Sequence, residues 1–233
     1  MLSILLLGFL IGLQHAMEAD HVAAVASLVS RDRGFGETAR QGAIWGVGHG
    51  LTLFIFAGLV LLMDAVIPTR LAQLLELTVG LMLILLGMDV LRRLYMERIH
   101  FHVHTHGEIA HFHAHAHRNH GQHALDPHEH RHMKSFPFRA LFVGMMHGMA
   151  GSAALILLTL ETVASPLEGL LYIFLFGLGS IAGMGLLAMV IAVPFRYSEK
   201  AVTWAHNGLK GAVGLVTLGL GLALVYTNSG MPA

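Results

Sequence analysis

The sequence predicts an all-α membrane protein with six transmembrane helices, arranged as two inverted three-helix repeats with a histidine-rich cytoplasmic loop between them. Three observations lead to this fold class. First, 55% of the 233 residues are hydrophobic and only 12% are charged, whereas soluble domains carry roughly 25% charged residues. Second, the apolar residues fall into six blocks of membrane-spanning length. Third, short motifs of the first half recur in the second half.

Each of the six blocks can form a helix that crosses the hydrocarbon core, which takes about 20 predominantly apolar residues. The third block is the weakest, because it contains Glu76 and Asp89. We expect these two carboxylates to lie near the ends of the helix and to reach the membrane surface. The predicted spans cover residues 2–28, 42–63, 71–91, 138–160, 169–195 and 208–227.

The distribution of Lys and Arg predicts how the spans are oriented. If the six spans alternate in direction, 13 of the 14 basic residues fall on one side of the membrane and only Arg70 falls on the other. Cytoplasmic loops carry an excess of Lys and Arg. We therefore expect the loop at residues 100–135 to be cytoplasmic and both termini to be external, in the cytoplasmic membrane.

Short motifs suggest that the chain is duplicated. Three spans in each half would place the halves in opposite orientations, as in many secondary transporters, whose binding sites lie near the midplane at the repeat interface. Chance similarity between two glycine-rich helix faces is the alternative. We expect a first membrane half at residues 1–99, a disordered loop at residues 100–135 and a second membrane half at residues 136–233. The matching segments are 12–17 with 144–149, 46–49 with 177–180, and 79–81 with 213–215.

Ionisable residues interrupt the first predicted span. His15, Asp20 and His21 lie within an otherwise apolar block, and such residues are costly inside a membrane, so they indicate a functional site. His15 lies about 20 Å along its helix at 1.5 Å per residue, which is near mid-bilayer. By the same measure, His49 and His147 reach a similar depth from the cytoplasmic ends of the second and fourth spans.

A regular helix would not let these residues face one ion. At about 100° per residue, Asp20 and His21 point about 140° and 240° away from His15. One solution is that the helix unwinds near Met17 to Ala19, as the broken helices of transporters do. The other is that His15 binds the ion directly while Asp20 and His21 orient it or serve a neighbouring site. We favour local unwinding.

The residue types indicate a late first-row transition metal. The chain has no cysteine, so ligands must be nitrogen, oxygen or thioether. Neutral imidazole suits nickel, copper, zinc and iron, whereas magnesium and calcium prefer oxygen. We expect His15, Asp20, His21, His49 and His147 to bind Ni²⁺ or Co²⁺. A hydrogen-bonded polar cluster that joins helices is the alternative. Further candidate ligands are Met17, Glu18 and Met149, although methionine is also common in helix packing.

A second group of histidines lies outside the predicted spans. The loop holds 13 of the 18 histidines, many of them at alternate positions. Alternation could place imidazoles on one side of a strand, but the low apolar content favours disorder. Such tracts bind metal with little geometric selectivity. We expect metal capture by His100, His102, His104, His106, His111, His113, His115, His117, His120, His123, His128, His130 and His132.

Three motifs resemble a known family. The pattern His15-x4-Asp20-His21 resembles a signature of the nickel/cobalt transporter superfamily. The motifs around His49, from Gly46 to Thr52, and around His147, from Gly144 to Ser152, are similar to those of UreH-type nickel permeases in that superfamily. The resemblance covers nearly all six spans and implies nickel uptake. The histidine-rich loop instead resembles the cytoplasmic tract of Rcn-type nickel/cobalt efflux proteins.

The sequence therefore predicts a secondary transporter of Ni²⁺ and/or Co²⁺ rather than an enzyme, with uptake as the favoured direction and efflux as the alternative. We expect no resident cofactor. The expected partners are the metal ion, membrane lipid and, as a candidate, a cytoplasmic metallochaperone. Equal numbers of acidic and basic residues give no reason to expect nucleic acid. An intramembrane metalloenzyme of the desaturase type would need adjacent histidines, which the chain lacks. A metal buffer or sensor would not need six spans.

Overall fold

A computed structural model describes residues 2–30, 34–63, 68–96, 99–106, 109–116, 137–150, 165–201 and 203–229. These residues are almost entirely helical. The elements, in chain order, are α1 (Leu2–His15), α2 (Ala19–Val29), α3 (Phe35–Leu62), α4 (Thr69–Met96), β1 (Ile99–His106), β2 (Ile109–Ala116), α5 (Phe138–Ala150), α6 (Pro166–Ala201) and α7 (Thr203–Asn228).

The first predicted span is two helices and not one. Helix α1 ends at His15, a short turn follows, and α2 begins at Ala19. In the turn, the amide of Met17 donates to the carbonyl of Gln14 at 2.9 Å, and Glu18 has an extended backbone with φ −64° and ψ 149°. The unwinding that the helix geometry requires is therefore confirmed, and it lies at residues 16–18.

Four described helices are long and apolar enough to cross a membrane. They are residues 35–62, 69–96, 166–198 and 204–228. These helices extend beyond the predicted apolar blocks at every end except the C-terminal end of the first, which stops at Leu62, because a helix can continue into the polar interface. The broken first span consists of two shorter apolar helices, and the fourth predicted span is described only as far as Ala150. Residues 151–160 of that span lie outside the described part of the chain.

The helices pack around α3 and α6, which lie against each other. Helix α1 packs on α6, α5 packs on α3, and α4 packs on α7. Helix α2 contacts α4, α6 and α7. The interior holds large side chains that are essentially inaccessible, such as Trp45, Leu83 and Met184. The outer surface is also apolar, with Leu85 64% and Val190 66% exposed, as expected of helices that face lipid.

An ion pair joins the two halves at the end of the third predicted span. The carboxylate of Asp89 on α4 lies 2.7 Å from the guanidinium of Arg139 on α5 and 3.3 Å from that of Arg93 on α4. The side chain of Asp89 is 31% exposed. The two arginines compensate the charge of Asp89, and its position at the membrane surface stays a prediction.

The histidine-rich segment contains an antiparallel pair of strands, β1 and β2. The backbone register pairs His100 with His115, His102 with His113 and His104 with His111. Strand structure therefore occupies part of the segment that the sequence analysis expects to be disordered. The alternation of histidine with apolar residues is the physical reason, since a period of two suits a strand. Residues 107–108 and 117–136 lie outside the described chain.

Two glycines allow backbones to approach closely. A Cβ atom built on Gly12 of α1 would collide with the carbonyl oxygen of Phe176 on α6. A Cβ atom built on Gly144 of α5 would likewise collide with the carbonyl oxygen of Trp45 on α3. Small residues at helix interfaces permit this kind of close packing in membranes. The close approach at Gly144 also determines how near the residues of α5 come to those of α3.

We predict that Gly144→Ala destabilises the protein by about 1–3 kcal/mol, because the added methyl group has no space and forces α5 away from α3. The matched control is Gly208→Ala on α7, where a Cβ atom meets nothing within 4 Å. That change should leave stability equal or up to about 1 kcal/mol higher, since Ala has the better helix propensity. Thermal unfolding in detergent measures both. Equal stability of the two variants would contradict the packing.

Candidate metal centre

Four helices contribute to one buried cluster of side chains. His15 ends α1, Asp20 and His21 lie in the first turn of α2, His49 lies midway along α3, and His147 lies near the end of α5. His21, His49 and His147 are each at most 1% exposed. The structure therefore brings together all five residues that the sequence analysis predicts as ligands.

His21 lies at the centre of the cluster. Its ring centroid is 4.3 Å from that of His15 and 4.2 Å from that of His147. The ring of His49 is 5.0 Å away. This arrangement depends on the break between α1 and α2, because a continuous helix would direct His15 and His21 to different sides.

The carboxylate of Asp20 orients two of the histidines. Its Oδ1 accepts hydrogen bonds from the backbone amide of His21 at 2.8 Å and from Nδ1 of the same residue at 2.9 Å. Its Oδ2 accepts from Nε2 of His147 at 2.9 Å. Because an ionised carboxylate only accepts hydrogen bonds, these contacts assign protons to Nδ1 of His21 and Nε2 of His147. Asp20 thus links α2 to α5.

Glu18 orients His15 in the way that Asp20 orients His21 and His147. Its Oε1 lies 2.8 Å from Nδ1 of His15, which assigns the proton of that ring to Nδ1 and leaves Nε2 as an acceptor. The side chain of Glu18 is 57% exposed, so this carboxylate lies at the rim of the cluster. Glu18 therefore orients His15 from outside the buried centre.

Several imidazole nitrogens in the cluster are buried and have no hydrogen-bond partner among the described residues. They are Nε2 of His15, Nε2 of His21, Nδ1 of His147 and both ring nitrogens of His49. An unpaired buried polar group costs about 1–3 kcal/mol. A divalent metal ion would satisfy such nitrogens, since neutral imidazole binds it through a bare ring nitrogen while the other nitrogen is held by a carboxylate.

The donor atoms form two overlapping groups. One consists of His15, His21 and His49, and the other of Asp20, His21 and His147. Within each group, one donor atom from each residue lies within 4.8 Å of the others. At this spacing, a small ion can contact all three residues of a group once their side chains move slightly closer together.

The two methionines that are candidate ligands differ in their burial. Met17 is 61% exposed in the turn between α1 and α2, so its thioether is outside the buried centre. Met149 lies two residues after His147 on α5 and is half-buried. Seven of the thirteen loop histidines lie on β1 and β2. The others, His117, His120, His123, His128, His130 and His132, lie outside the described residues.

Trp45 is a residue of the centre that the sequence analysis missed. Its ring lies 5.5 Å from that of His21 and 5.6 Å from that of His147. It is fully buried, and its indole nitrogen has no hydrogen-bond partner in the described chain. The signal in the sequence was its position four residues before His49, because residues four apart share a helix face. Trp45 forms the apolar wall of the centre.

Comparison with known proteins gives one extensive match. The chain is 35% identical over 227 residues to the urease accessory protein UreH of Bacillus sp. (strain TB-90), and the match covers 97% of this chain and 92% of that protein. Searches of family models and of solved structures give no match.

Two plant proteins are more distant relatives. The chain is 27% identical to the chloroplast protein FOR GROWTH AND FERTILITY 2 of Arabidopsis thaliana and 28% identical to FOR GROWTH AND FERTILITY 1. The matches cover 95% and 94% of this chain but only 55% and 58% of those proteins. The Bacillus match, in contrast, spans nearly the whole of both sequences. The chain is therefore a membrane protein that belongs to the family of the urease accessory protein UreH.

Proposed function

We propose that the protein is a secondary transporter of Ni²⁺ and/or Co²⁺ in the cytoplasmic membrane, and that the ion binds at His15, Asp20, His21, His49 and His147. One observation carries the proposal. Five imidazole nitrogens that are buried among apolar helices have no hydrogen-bond partner in the described chain. A purely structural polar cluster would satisfy its own groups.

The chemistry of the donors favours nickel or cobalt. The centre offers several neutral imidazoles, one carboxylate and no thiolate, which suits a late first-row divalent ion better than magnesium or calcium. The carboxylate of Asp20 offsets part of the charge of the ion. Membership in the UreH family, together with the resemblance of the motifs to nickel permeases, supports nickel as the cargo.

Reciprocal contacts support two inverted repeats. A Cβ on Gly12 would meet the carbonyl of Phe176, and a Cβ on Gly144 would meet that of Trp45. The two halves align at an offset of 131 to 134 residues, which relates Gly12 to Gly144 and Trp45 to Phe176. Each half therefore places its first helix against the second helix of the other half in the same way.

The third helices of the two halves make a reciprocal contact of the same kind. A Cβ on Gly87 would lie 2.8 Å from the carbonyl oxygen of Gly214, and a Cβ on Gly221 would lie 2.7 Å from that of Gly80. The repeat alignment relates Gly80 to Gly214 and Gly87 to Gly221. Each of these two contacts is therefore the counterpart of the other. Six spans and an alternating movement of the two halves around the centre are the architecture we propose from this symmetry.

Uptake is the direction that we propose, from the resemblance to UreH-type permeases. The loop histidines would then capture arriving metal on the cytoplasmic side and pass it on, with a cytoplasmic metallochaperone as the candidate acceptor. The length and histidine content of the loop favour efflux as a second candidate function, in which the same histidines collect metal for export.

A metalloenzyme is the less favoured class. The chain has no adjacent histidines, which desaturase-type di-iron sites require. Residues 128–132 read His-Glu-His-Arg-His and fit the His-Glu-x-x-His pattern of zinc proteases. In those proteases the pattern lies on a helix, so that both histidines bind zinc from one face. This stretch lies in the histidine-rich segment directly after Pro127, outside the described residues, and the centre proposed here does not include it.

We predict that His15→Ala, Asp20→Asn and His21→Ala each reduce nickel flux at least about tenfold, because loss of one ligand leaves the other buried groups uncompensated. Flux of radioactive nickel into proteoliposomes measures this. The control is His206→Ala, which removes a buried histidine that contacts Ser198 instead of the centre. Normal flux in all three ligand variants would contradict the site.

We also predict that the termini are external and that the histidine-rich loop is cytoplasmic, because the basic residues concentrate on one side. The chain has no cysteine, so single cysteines can be introduced at Ala110 and Ser229. A membrane-impermeant thiol reagent applied to intact cells should label Ser229→Cys and leave Ala110→Cys unmodified until the cells are opened. The reverse pattern would refute this topology.

Deletion of residues 100–132 should leave the direction of transport unchanged and alter mainly its response to scarce or excess nickel, because these histidines lie outside the proposed spans. Metal binding by the loop should weaken below about pH 6, as its imidazoles protonate. Cells with the full chain should accumulate more nickel if the protein imports, or tolerate more nickel if it exports. Complete loss of flux in a normally inserted deletion variant would mean that the loop is an obligatory part of the pathway.

A further inference from the structure

We infer that the centre contains two overlapping ion positions that share His21, and that the cargo moves between them by exchanging His15 and His49 for His147 and Asp20. This inference rests on the proposed transport function and specifies how the ion passes through the site. The first position is formed by His15, His21 and His49, and the second by Asp20, His21 and His147.

The geometry around His21 is nearly the same on its two sides. The rings of His15 and His147 lie 4.3 Å and 4.2 Å from that of His21, with interplanar angles of 66° and 60°. Each belongs to a separate group of three donors within 4.8 Å, and His21 belongs to both. With its proton on Nδ1, which donates to Asp20, His21 offers Nε2 to an ion in the first position. In the second position Nδ1 would bind the ion beside Asp20, and the proton would lie on Nε2. A neutral imidazole has one bare nitrogen at a time, so only one position can be filled at a time.

The two flanking histidines have matching chemistry. One ring nitrogen of His15 is held by Glu18, and one ring nitrogen of His147 is held by Asp20. The other nitrogen of each ring is buried and has no partner among the described residues. Both rings are therefore positioned by a carboxylate, and the charge of Asp20 distinguishes the second position from the first.

His49 lies where it can assist the exchange. Its ring is 5.3 Å from that of His15 and 5.8 Å from that of His147. It is fully buried, and both of its nitrogens lack partners within the described chain. Because no carboxylate fixes this ring, it can turn towards an ion in the first position and release the ion as it moves to the second.

The sequence repeat explains why these particular histidines exchange. His15 and His147 occupy equivalent positions of the two halves, whereas His49 is replaced in the second half by Ser180. Ser180 donates a hydrogen bond to the carbonyl of Gly12 at 3.1 Å and so serves packing. Replacement of His15 by His147 would pass the ion from a ligand of one half to its counterpart in the other, as a movement of the two halves requires.

Equilibrium binding can distinguish two positions from one. The chain has two tryptophans, and Trp204→Phe removes the exposed one. Trp45 then reports binding, because paramagnetic Ni²⁺ quenches a nearby indole and this ring contacts three histidines of the centre. The full-length protein is titrated with nickel at chelator-buffered free concentrations. The variants are His15→Ala, His147→Ala, the double variant, His21→Ala and the control His206→Ala.

Two mutually exclusive positions add their binding constants, so the single variant that keeps the tighter position should bind nickel within about twofold of the parent. The double variant and His21→Ala should bind at least about tenfold more weakly, because each disables both positions. His206→Ala should match the parent. Both single variants should nevertheless lose nickel flux in proteoliposomes, because transport requires both positions.

Other results would overturn the inference. At least about tenfold weaker binding in both single variants would mean that one position uses all the ligands. Retained flux in either single variant would mean that the ion does not need the exchange. No quenching in the parent, or unaltered quenching in His21→Ala, would overturn the proposed transport site as well. Glutamine in place of alanine at the same positions, checked by thermal unfolding, keeps the test valid if an alanine variant does not fold.

Discussion

The break between α1 and α2 is the constraint on which the centre depends. A helix that runs without interruption through a membrane directs residues five and six positions apart to different sides. Ending α1 at His15 and restarting the helix at Ala19 brings His15 and His21 to 4.3 Å between ring centroids. Of the three non-helical residues, Ala16 is buried in the protein, whereas Met17 and Glu18 are exposed. Irregular backbone at membrane depth is accommodated where it is buried in protein or lines a water-filled cavity.

Asp20 organises the groups that the break brings together. A partly buried carboxylate is costly unless hydrogen bonds compensate it, and the carboxylate of Asp20, 30% exposed, accepts bonds from His21 and from His147. The same bonds determine which imidazole nitrogens carry protons and which remain free to bind an ion. Asp20 also joins α2 of the first half to α5 of the second, so any movement of the halves acts on the ligands directly.

The contacts that frame the centre are reciprocal between the two proposed halves, but the centre itself is not repeated. Contacts at Gly12 and Gly144 hold the first helix of each half against the second helix of the other in equivalent ways. In contrast, the second half has Ser152 and Ala153 at the positions of Asp20 and His21. We interpret the centre as one set of ligands, Asp20 and His21, that lies between two equivalent histidines, His15 and His147. A symmetric frame thus supports an asymmetric site, which gives the proposed cargo a place to bind as the halves exchange roles.

The sequence alone determined the membrane class and the five residues of the centre, and it favoured a break in the first span, because charged groups in apolar blocks and helical periodicity are local properties. It did not reveal the wall formed by Trp45, the bond between Asp20 and His147, or the overlap of the two donor groups. Those features depend on how helices that are distant in sequence pack, and small residues such as Gly144 set that distance. The pairing of β1 with β2 was likewise decided by the fold, since alternating histidines permit a strand without specifying its partner.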